Sequence, residues 1–427
     1  MNRPFAEAPA RWRTVRLKET VTGRQNGVWG EEPHGDRDDI ICVRVADFDR
    51  QALRVSLETP TMRAVPEHAR QTKRLVRGDL LIEKSGGGDT QPVGVVVLYD
   101  HDRPAVCSNF IARMTPAPGF DPVYLCYLHA ALYAIGINRR SILQTTGIQN
   151  LDSEQYLSET VRVPDLAEQQ SIARFLDRRI AVLDALLYAK ERLIELFIER
   201  RRALISRAIV DSRPHETVTR LKFIRSGALV YGATEPAVFA DRDCPRYIRI
   251  TDLNDDGTLR DDTFQSLPEN LARPYLLEDG DILLARSGAT VGKAFRYRRE
   301  WGRACFAGYL IRLRPDRRKV LPDYLHYFTQ SHAFQEQVRA HAVQSTIANV
   351  SAERYGNFLI PLPALEEQRR IIQTLDRQTS ATRKLIAHSE RQIERIREYR
   401  QGLICCAVTR GLRAITAVAT GEKATTG

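Results

Sequence analysis

The chain has 427 residues, 43% of them apolar, which is too long for one ordinary core and apolar enough to build two. Lysine and arginine number 64 against 53 aspartates and glutamates, giving a net charge of +11 and a pI near 9.4. That excess is spread along the chain rather than gathered in a tail, so it suits a polyanionic partner, with nucleic acid favoured over a merely solubilising charge. The N-terminal MNRPFAEAPARWR has no apolar signal core, and stretches such as GVVVLY (94–99) are far too short to span a bilayer; a cytoplasmic, globular, multidomain protein is expected. The seven cysteines are odd in number and include no CxxC, which signals neither a disulfide framework nor a zinc ribbon.

In chain order, residues 1–163 contain short β-rich runs (IICVRV, DLLIEK, GVVVLY) broken by turn-rich segments such as NGVWGEEPHGDRDD. A first long helix is predicted over 164–212. Pro164 opens it, Asp165 with Glu168 resembles a capping box, and Leu183, Leu186, Leu187, Leu193, Ile194, Phe197, Leu204, Ile205 and Ala208 fall at three- and four-residue steps. Residues 213–362 return to short strands (YIRI, DILLAR, YLIRLR) and turns such as NDDGTLRDD. A second long helix is predicted over 363–412, with a stripe of Leu385, Ile386, Ile393, Ile396, Leu403, Ile404 and Ala407 and with Gly411 placed to stop it. The tail, 413–427, is expected to be disordered.

The two halves repeat. A shift of 199 residues superimposes 164–210 on 363–409 with eighteen of 47 pairs identical, among them Glu168-Gln169 with Glu367-Gln368 and Leu176-Asp177-Arg178 with Leu375-Asp376-Arg377. Upstream, RVADF (44–48) recurs as RITDL (249–253), GDLLIEKSG (78–86) as GDILLARSG (280–288) and PVYLCY (122–127) as PDYLHY (322–327). A two-unit period of this size is a duplicated α+β domain followed each time by one long helix, not a solenoid. Two long helices with matching stripes bury those stripes most simply against each other as an antiparallel coiled coil; the competing reading packs each helix on its own domain. Glu168, Gln169, Leu187, Ile194, Leu204, Glu367, Gln368, Ile386, Ile393 and Leu403 are the candidate residues for the coil and for contact with partner subunits.

Catalytic motifs are missing. GATVGKA (288–294) is one residue short of a phosphate loop and lacks its final hydroxyl; Asp79, Glu83 and Lys84 suggest a nuclease cluster, but the second copy replaces Glu83-Lys84 by Ala285-Arg286. His326 stands where Cys126 stands in the first copy, which disfavours a metal site. What survives in both copies is a cation followed by Ser-Gly: Lys84-Ser85-Gly86 and Arg286-Ser287-Gly288. A strand ending in a cation, a hydroxyl and glycines offers phosphate or base-edge contacts at low steric cost, with a plain hairpin turn as the bland alternative. Arg77 and Lys293 join them as candidate phosphate contacts, and no metal or catalytic residue is expected.

These residues resemble a known family, the specificity subunit of type I restriction-modification systems. The likeness covers 14–412 and is most specific in the twin segments beginning VPDLAEQQSIARFLDRR and LPALEEQRRIIQTLDRQ, supported by GDLLIEKSG and GDILLARSG, and by TTGIQNL (145–151) and STIANV (345–350) ahead of the helices. The resemblance implies two target-recognition domains related by a pseudo-twofold axis, each reading one half of a split DNA site, with the paired helices fixing the distance between halves. It also implies two modification subunits that bind S-adenosylmethionine and methylate adenine, with ATP- and magnesium-dependent restriction subunits joining in a complete system, and no cofactor on this chain. An interaction scaffold without base readout is the alternative.

Overall fold

The computed structural model describes residues 5–88, 90–144, 147–211, 217–254, 257–342 and 349–415. The chain forms two compact units, Met1–Ala189 with Gln392–Gly427, and Lys190–Arg391, so the unit boundaries fall inside the long helices rather than at their ends. Of the expected disordered tail, 416–427 lies outside the described residues, and 413–415 belong to a helical turn.

The strands of the first unit are β1 (Arg13–Arg16), β2 (Val21–Asn26), β3 (Asp39–Val43), β4 (Phe48–Asp49), β5 (Arg54–Val55), β6 (Met62–Ala64), β7 (Leu80–Glu83), β8 (Ser85–Gly86), β9 (Val96–Leu98), β10 (Ala105–Cys107), β11 (Ile111–Pro116), β12 (Ile142–Gln144), β13 (Gln149–Leu151) and β14 (Thr160–Val163). A six-stranded sheet runs β2-β11-β7-β9-β5-β4, flanked by β10-β3-β6, β12-β13-β8 and the pair β1-β14. Helices α1 (Glu67–Lys73), α2 (Pro122–Ala134) and α3 (Ser153–Leu157) precede the long α4 (Leu166–Ser206). Strand β7 is central because LLIE buries all four residues; a strand covered on both faces reads as an apolar run rather than as an alternation.

The second unit repeats a reduced version. It contains β15 (Val218–Arg220), β16 (Val230–Tyr231), β17 (Arg246–Ile248), β18 (Ile282–Ala285), β19 (Ala294–Arg296), β20 (Ala304–Phe306), β21 (Leu310–Leu313) and β22 (Leu359–Pro361). These pair as β16-β21-β18-β19, β17-β20 and β15-β22. Its helices are α5 (Glu269–Ala272), α6 (Pro322–Thr329), α7 (His332–Ala342), α8 (Ala352–Gly356) and the long α9 (Leu365–Arg410). The fold class expected from sequence, mixed α+β bodies each followed by a long helix, is the one observed.

The helices pair within each unit. In the first, Ile172, Ala173, Leu176 and Ile180 at the start of α4 share a core with Leu403, Ile404, Ala407 and Val408 at the end of α9, and Arg400 Nε lies 3.0 Å from Asp184 Oδ1. In the second, Ile205 and Ile209 share a core with Ile371 and Leu375. A start packed on an end makes the pairing antiparallel. The stripe is narrower than the one read from sequence: Leu187, Ile393 and Leu403 are buried and Ile194, Leu204 and Ile386 half-buried, but Leu186, Leu193 and Leu385 are exposed. In α9 the buried positions include the polar Thr379, Thr382 and Ser389, which fall at seven-residue steps from Ile386, Ile393 and Leu403.

Each helix start is locked to its own globular body. Asp165 Oδ1 accepts from Glu168 N at 2.8 Å, which is half of the expected capping box; the other half is absent because the Glu168 carboxylate accepts from Arg11 (2.7 Å) and Trp12 Nε1 (3.3 Å) instead. Gln169 and Gln368 are wholly buried. Gln169 Oε1 accepts from Asp121 N at 2.9 Å while its amide donates to Pro164 O at 3.0 Å, and Gln368 does the same with Leu321 N (2.8 Å) and Pro363 O (2.8 Å). The hydroxyls of Tyr127 and Tyr327 donate to Asp177 (2.8 Å) and Asp376 (2.5 Å). Gly411, with φ +81°, ends α9 as expected, its N–H donating to Ala407 O at 3.1 Å.

Candidate nucleic-acid interface

In both units the cation of the Ser-Gly motif is the residue at which the central strand leaves its sheet. Lys84 N donates to Phe110 O (2.8 Å) and Lys84 O accepts from Leu151 N (2.8 Å); Arg286 N donates to Tyr309 O (3.0 Å) and Arg286 O accepts from Val350 N (2.8 Å). The main chain of the cation therefore ties the strand to a turn on one side and, on the other, to the segment that precedes the long helix. That second tie joins motifs far apart in sequence: β8 pairs with β13, and Ser287 bridges Asn349. Ser85 Oγ donates to Asn150 Oδ1 at 2.5 Å. Residues 145–146 and 345–348 of the flanking motifs lie outside the described residues.

With both backbone groups of the cation bonded, its side chain is what differs. Lys84 is half-buried, and its pKa is lowered first by burial and then by the nearby Arg24 and Lys73, which marks three cations gathered at this strand end. Arg286 lays its guanidinium over the Tyr231 ring at 4.6 Å, while its Nε is buried without an acceptor among the described residues. Tyr231 is fixed in turn by Ala352 N, which donates to its hydroxyl at 2.9 Å.

The neighbouring turn is built alike in both copies. Gly27 N donates to Ile111 O and Gly232 N to Leu310 O, at 3.1 and 3.2 Å. At each glycine the chain approaches so closely that a Cβ would sit 2.1 Å from Cys107 O or 2.3 Å from Phe306 O, so only glycine fits. This places Asn26 and Tyr231, the residues just before those glycines, in corresponding positions, and likewise Phe110 and Tyr309. Sequence reading missed Asn26, Tyr231, Phe110, Tyr309 and Arg24. The available signal was an aligned pair, the N-G that opens NGVWGEEPHGDRDD, read above only as a turn, and the Y-G of Tyr231-Gly232.

Not every expected contact joins this cluster. Arg77 stands at the opposite end of β7, with Nη1 3.1 Å from Asp102 and Nη2 4.0 Å from Asp100, so carboxylates already answer its charge. Lys293 is exposed and close to Arg286, since Ala285 N donates to Lys293 O at 2.8 Å. Gly86 and Gly288 both take positive φ, at +125° and +72°.

The rejected chemistries are explained by the same geometry. Asp79 Oδ2 accepts from Val76 N (2.7 Å) and Asp281 Oδ2 from Glu278 N (2.9 Å), so the repeated Gly-Asp is a turn device at the far end of the strand from Lys84. Glu83 is buried against Arg50 at 3.0 Å, with a pKa raised by burial despite that partner. In GATVGKA, Gly292 packs so tightly that a Cβ would lie 2.7 Å from Val338, and its N–H lies 3.2 Å from the Tyr355 hydroxyl, which leaves no phosphate cradle. Burial, with Arg201 and Arg296 beside it, holds His326 down near a pKa of about 4. No group of three or more metal-ligating side chains occurs among the described residues, and no helix there is long and apolar enough to cross a membrane.

Comparison with known proteins gives consistent answers. The profile of the type I restriction modification DNA specificity domain matches residues 240–395. The chain is 24% identical over 344 residues to the type I restriction enzyme StySPI specificity subunit of Salmonella potsdam, covering 75% of this chain and 72% of that one. It is 22% identical over 272 residues to the EcoBI specificity subunit of Escherichia coli, covering 57% of this chain and 56% of the relative. A chain from a solved structure concerned with complex assembly and conformational transition of the type I R-M system shares the fold with a TM-score of 0.62 at 18% identity, over 95% of this chain and 99% of that one. Through its duplicated sequence, its matched domain and its fold, the chain resembles the specificity subunits of type I restriction-modification systems.

Proposed function

We propose that this chain is the DNA-recognition subunit of a type I restriction-modification complex, each unit reading one half of a bipartite target. The observation that carries the reading is one strand-end site built twice by the same backbone bonds and furnished differently, with Asn26, Lys84 and Phe110 in one unit and Tyr231, Arg286 and Tyr309 in the other. One scaffold presenting two surfaces is what a split, asymmetric DNA site requires. The chain itself supplies no catalytic step and holds no cofactor. Two modification subunits contribute S-adenosylmethionine-dependent adenine methylation, and restriction subunits, when present, contribute ATP-driven cleavage. The seam residues Leu187, Ile194, Leu204, Ile386, Ile393 and Leu403 hold the helices together, and the buried Gln169 and Gln368 hold each helix to its body. Partner subunits dock on exposed positions of α4, among them Leu186, Tyr188 and Leu196, and on the half-buried Glu367 at the start of α9.

The test is methylome sequencing of cells expressing the chain with its modification subunit, beside cells lacking either. Adenine methylation at a split motif only when both are present is expected. Replacing 213–362 by the equivalent segment of another specificity subunit should change one half of the motif and leave the other. Methyl transfer by the purified single chain would overturn the non-catalytic assignment, and DNA binding without sequence preference would favour the scaffold alternative.

A further inference from the structure

Phe110 and Tyr309 occupy the same position on the same turn. Ile111 N donates to Ser108 O (3.0 Å) and Leu310 N to Ala307 O (2.9 Å), closing each turn, while Lys84 N and Arg286 N hold the carbonyls of Phe110 and Tyr309 themselves. The backbone at each tip is thus tied down, yet the rings stand in water, 47% and 67% exposed. An isolated exposed apolar residue needs no explanation, but a large aromatic held outward twice, at corresponding positions and next to the repeated cation, does. The core does not use these rings: neither belongs to a buried cluster of its unit.

Resting on the DNA-recognition reading, we propose that Phe110 and Tyr309 are base-reading side chains, and that Phe110 recognises the C5-methyl group of a thymine in its half-site. The chemistry is restrictive. A phenyl ring has no hydrogen-bond donor or acceptor, and the base faces of an intact duplex are stacked away from it. On the exposed base edges of the major groove, the group that an apolar side chain distinguishes is the thymine methyl. Lys84, whose N–H holds the Phe110 carbonyl, and the nearby Arg24 and Lys73 supply the phosphate attraction that brings the turn to the duplex, and that attraction carries no sequence information. Tyr309 presents the same ring with a hydroxyl at its tip, which adds one hydrogen bond to a base edge.

The experiment uses the complex of the full chain with its modification subunits and a duplex carrying the mapped methylation site, with deoxyuridine replacing thymine one position at a time. Uracil removes only the methyl group. At one thymine of the half-site assigned to the first unit by the segment exchange, uracil should weaken wild-type binding about fivefold to tenfold, the range of one lost base contact. Phe110→Ala should show the same loss on the thymine duplex and no further loss on that uracil duplex, and Phe110→Leu, still apolar, should retain part of the discrimination. Non-specific binding should stay unchanged in both variants. Wild-type affinity in Phe110→Ala, an equal loss on all duplexes, or a uracil penalty that persists in the variant would each overturn the assignment while leaving the specificity-subunit reading intact. Failure of the wild-type complex to prefer its own site would instead remove the reading on which the assignment rests.

Discussion

Gln368→Ala tests whether the long helices are joined to the globular bodies by two buried amides rather than by apolar packing alone. In the native chain Gln368 Oε1 accepts from Leu321 N at 2.8 Å, and Nε2 donates to Pro363 O at 2.8 Å and Lys319 O at 3.0 Å, all around a side chain with no exposed surface. Truncation orphans one N–H and two carbonyls. A buried unpaired polar group costs about 1–3 kcal/mol, and water entering the new cavity recovers part of that, so a net loss of roughly 3 kcal/mol is expected. Gln169→Ala should cost somewhat less, because one of its bonds, to Gly119 O, is already long at 3.4 Å. Gln368→Glu separates shape from hydrogen bonding. It keeps the volume but points a carboxylate oxygen at two carbonyls, so burial and repulsion raise its folded-state pKa above the unfolded value. A raised acid makes the protein lose stability as pH climbs through the unfolded pKa, so this variant should be weakest at neutral pH and partly recover on acidification. Urea unfolding of the full chain at several pH values reads both effects. A Gln368→Ala variant within about 0.5 kcal/mol of wild type, the range of an uninvolved surface change, would refute the clamp.

Three further outcomes follow from the same geometry. Arg286→Ala should weaken binding to all duplexes and lower the slope of log affinity against log salt by up to about 1, while Arg77→Ala, whose guanidinium already faces Asp102, should leave the slope unchanged; salt titrations of the complex distinguish them. Because burial, Arg24 and Lys73 lower the Lys84 pKa, its charge is lost earlier than that of an ordinary lysine as pH rises. DNA affinity should therefore fall on the alkaline side sooner in wild type than in Lys84→Arg, and coincident pH profiles would show that this charge does not reach DNA. Leu187→Ala should cost about 2–5 kcal/mol in thermal or urea unfolding, and Leu186→Ala, one residue away and 42% exposed, less than about 0.5 kcal/mol.

The long helices were legible because their signal is periodic and repeated: apolar steps, a proline start and a Gly411 stop are local features that tertiary context does not overrule. The seam was read too wide for a physical reason. Hydrophobicity places Leu186, Leu193 and Leu385 inside, but position along the helix, not residue type, decides what is covered, and α9 buries Thr379, Thr382 and Ser389 while Leu385 stays exposed. The strand-end site was half legible. Lys84-Ser85-Gly86 and Arg286-Ser287-Gly288 stand out as a recurring string, whereas Phe110 and Tyr309 reach the same place from a different strand, through a hydrogen bond that links residues 26 and 23 apart. Arg77 was misplaced because sequence proximity to Lys84 hides the strand between them, which carries the two to opposite ends.

The duplication sorts these residues by what their atoms do. Where the two copies agree, the side chain bonds to backbone or locks a helix. Arg44 and Asp47 close a local ring through Arg44 N at 2.7 Å and Nη2 at 2.8 Å, and Arg249 with Asp252 repeats it at the same distances. Asp79 and Asp281, Gln169 and Gln368, and Asp177 and Asp376 behave likewise, while Gly27 and Gly232 agree because no Cβ fits. A side chain bonded to the main chain cannot be exchanged without leaving a buried group unpaired, so such positions are fixed by a cost of about 1–3 kcal/mol each whatever the target. Asp79 shows the boundary within a single residue. One oxygen caps the turn in both copies, but the other accepts from the Thr115 hydroxyl in the first unit, whereas in the second its counterpart on Asp281 accepts from the Arg314 guanidinium. Where the backbone is satisfied by itself, as at Lys84 and Arg286 and at Phe110 and Tyr309, no such cost opposes change, and the copies differ there. Divergence at self-satisfied backbone lets one fold acquire a second surface while keeping the first unit's construction.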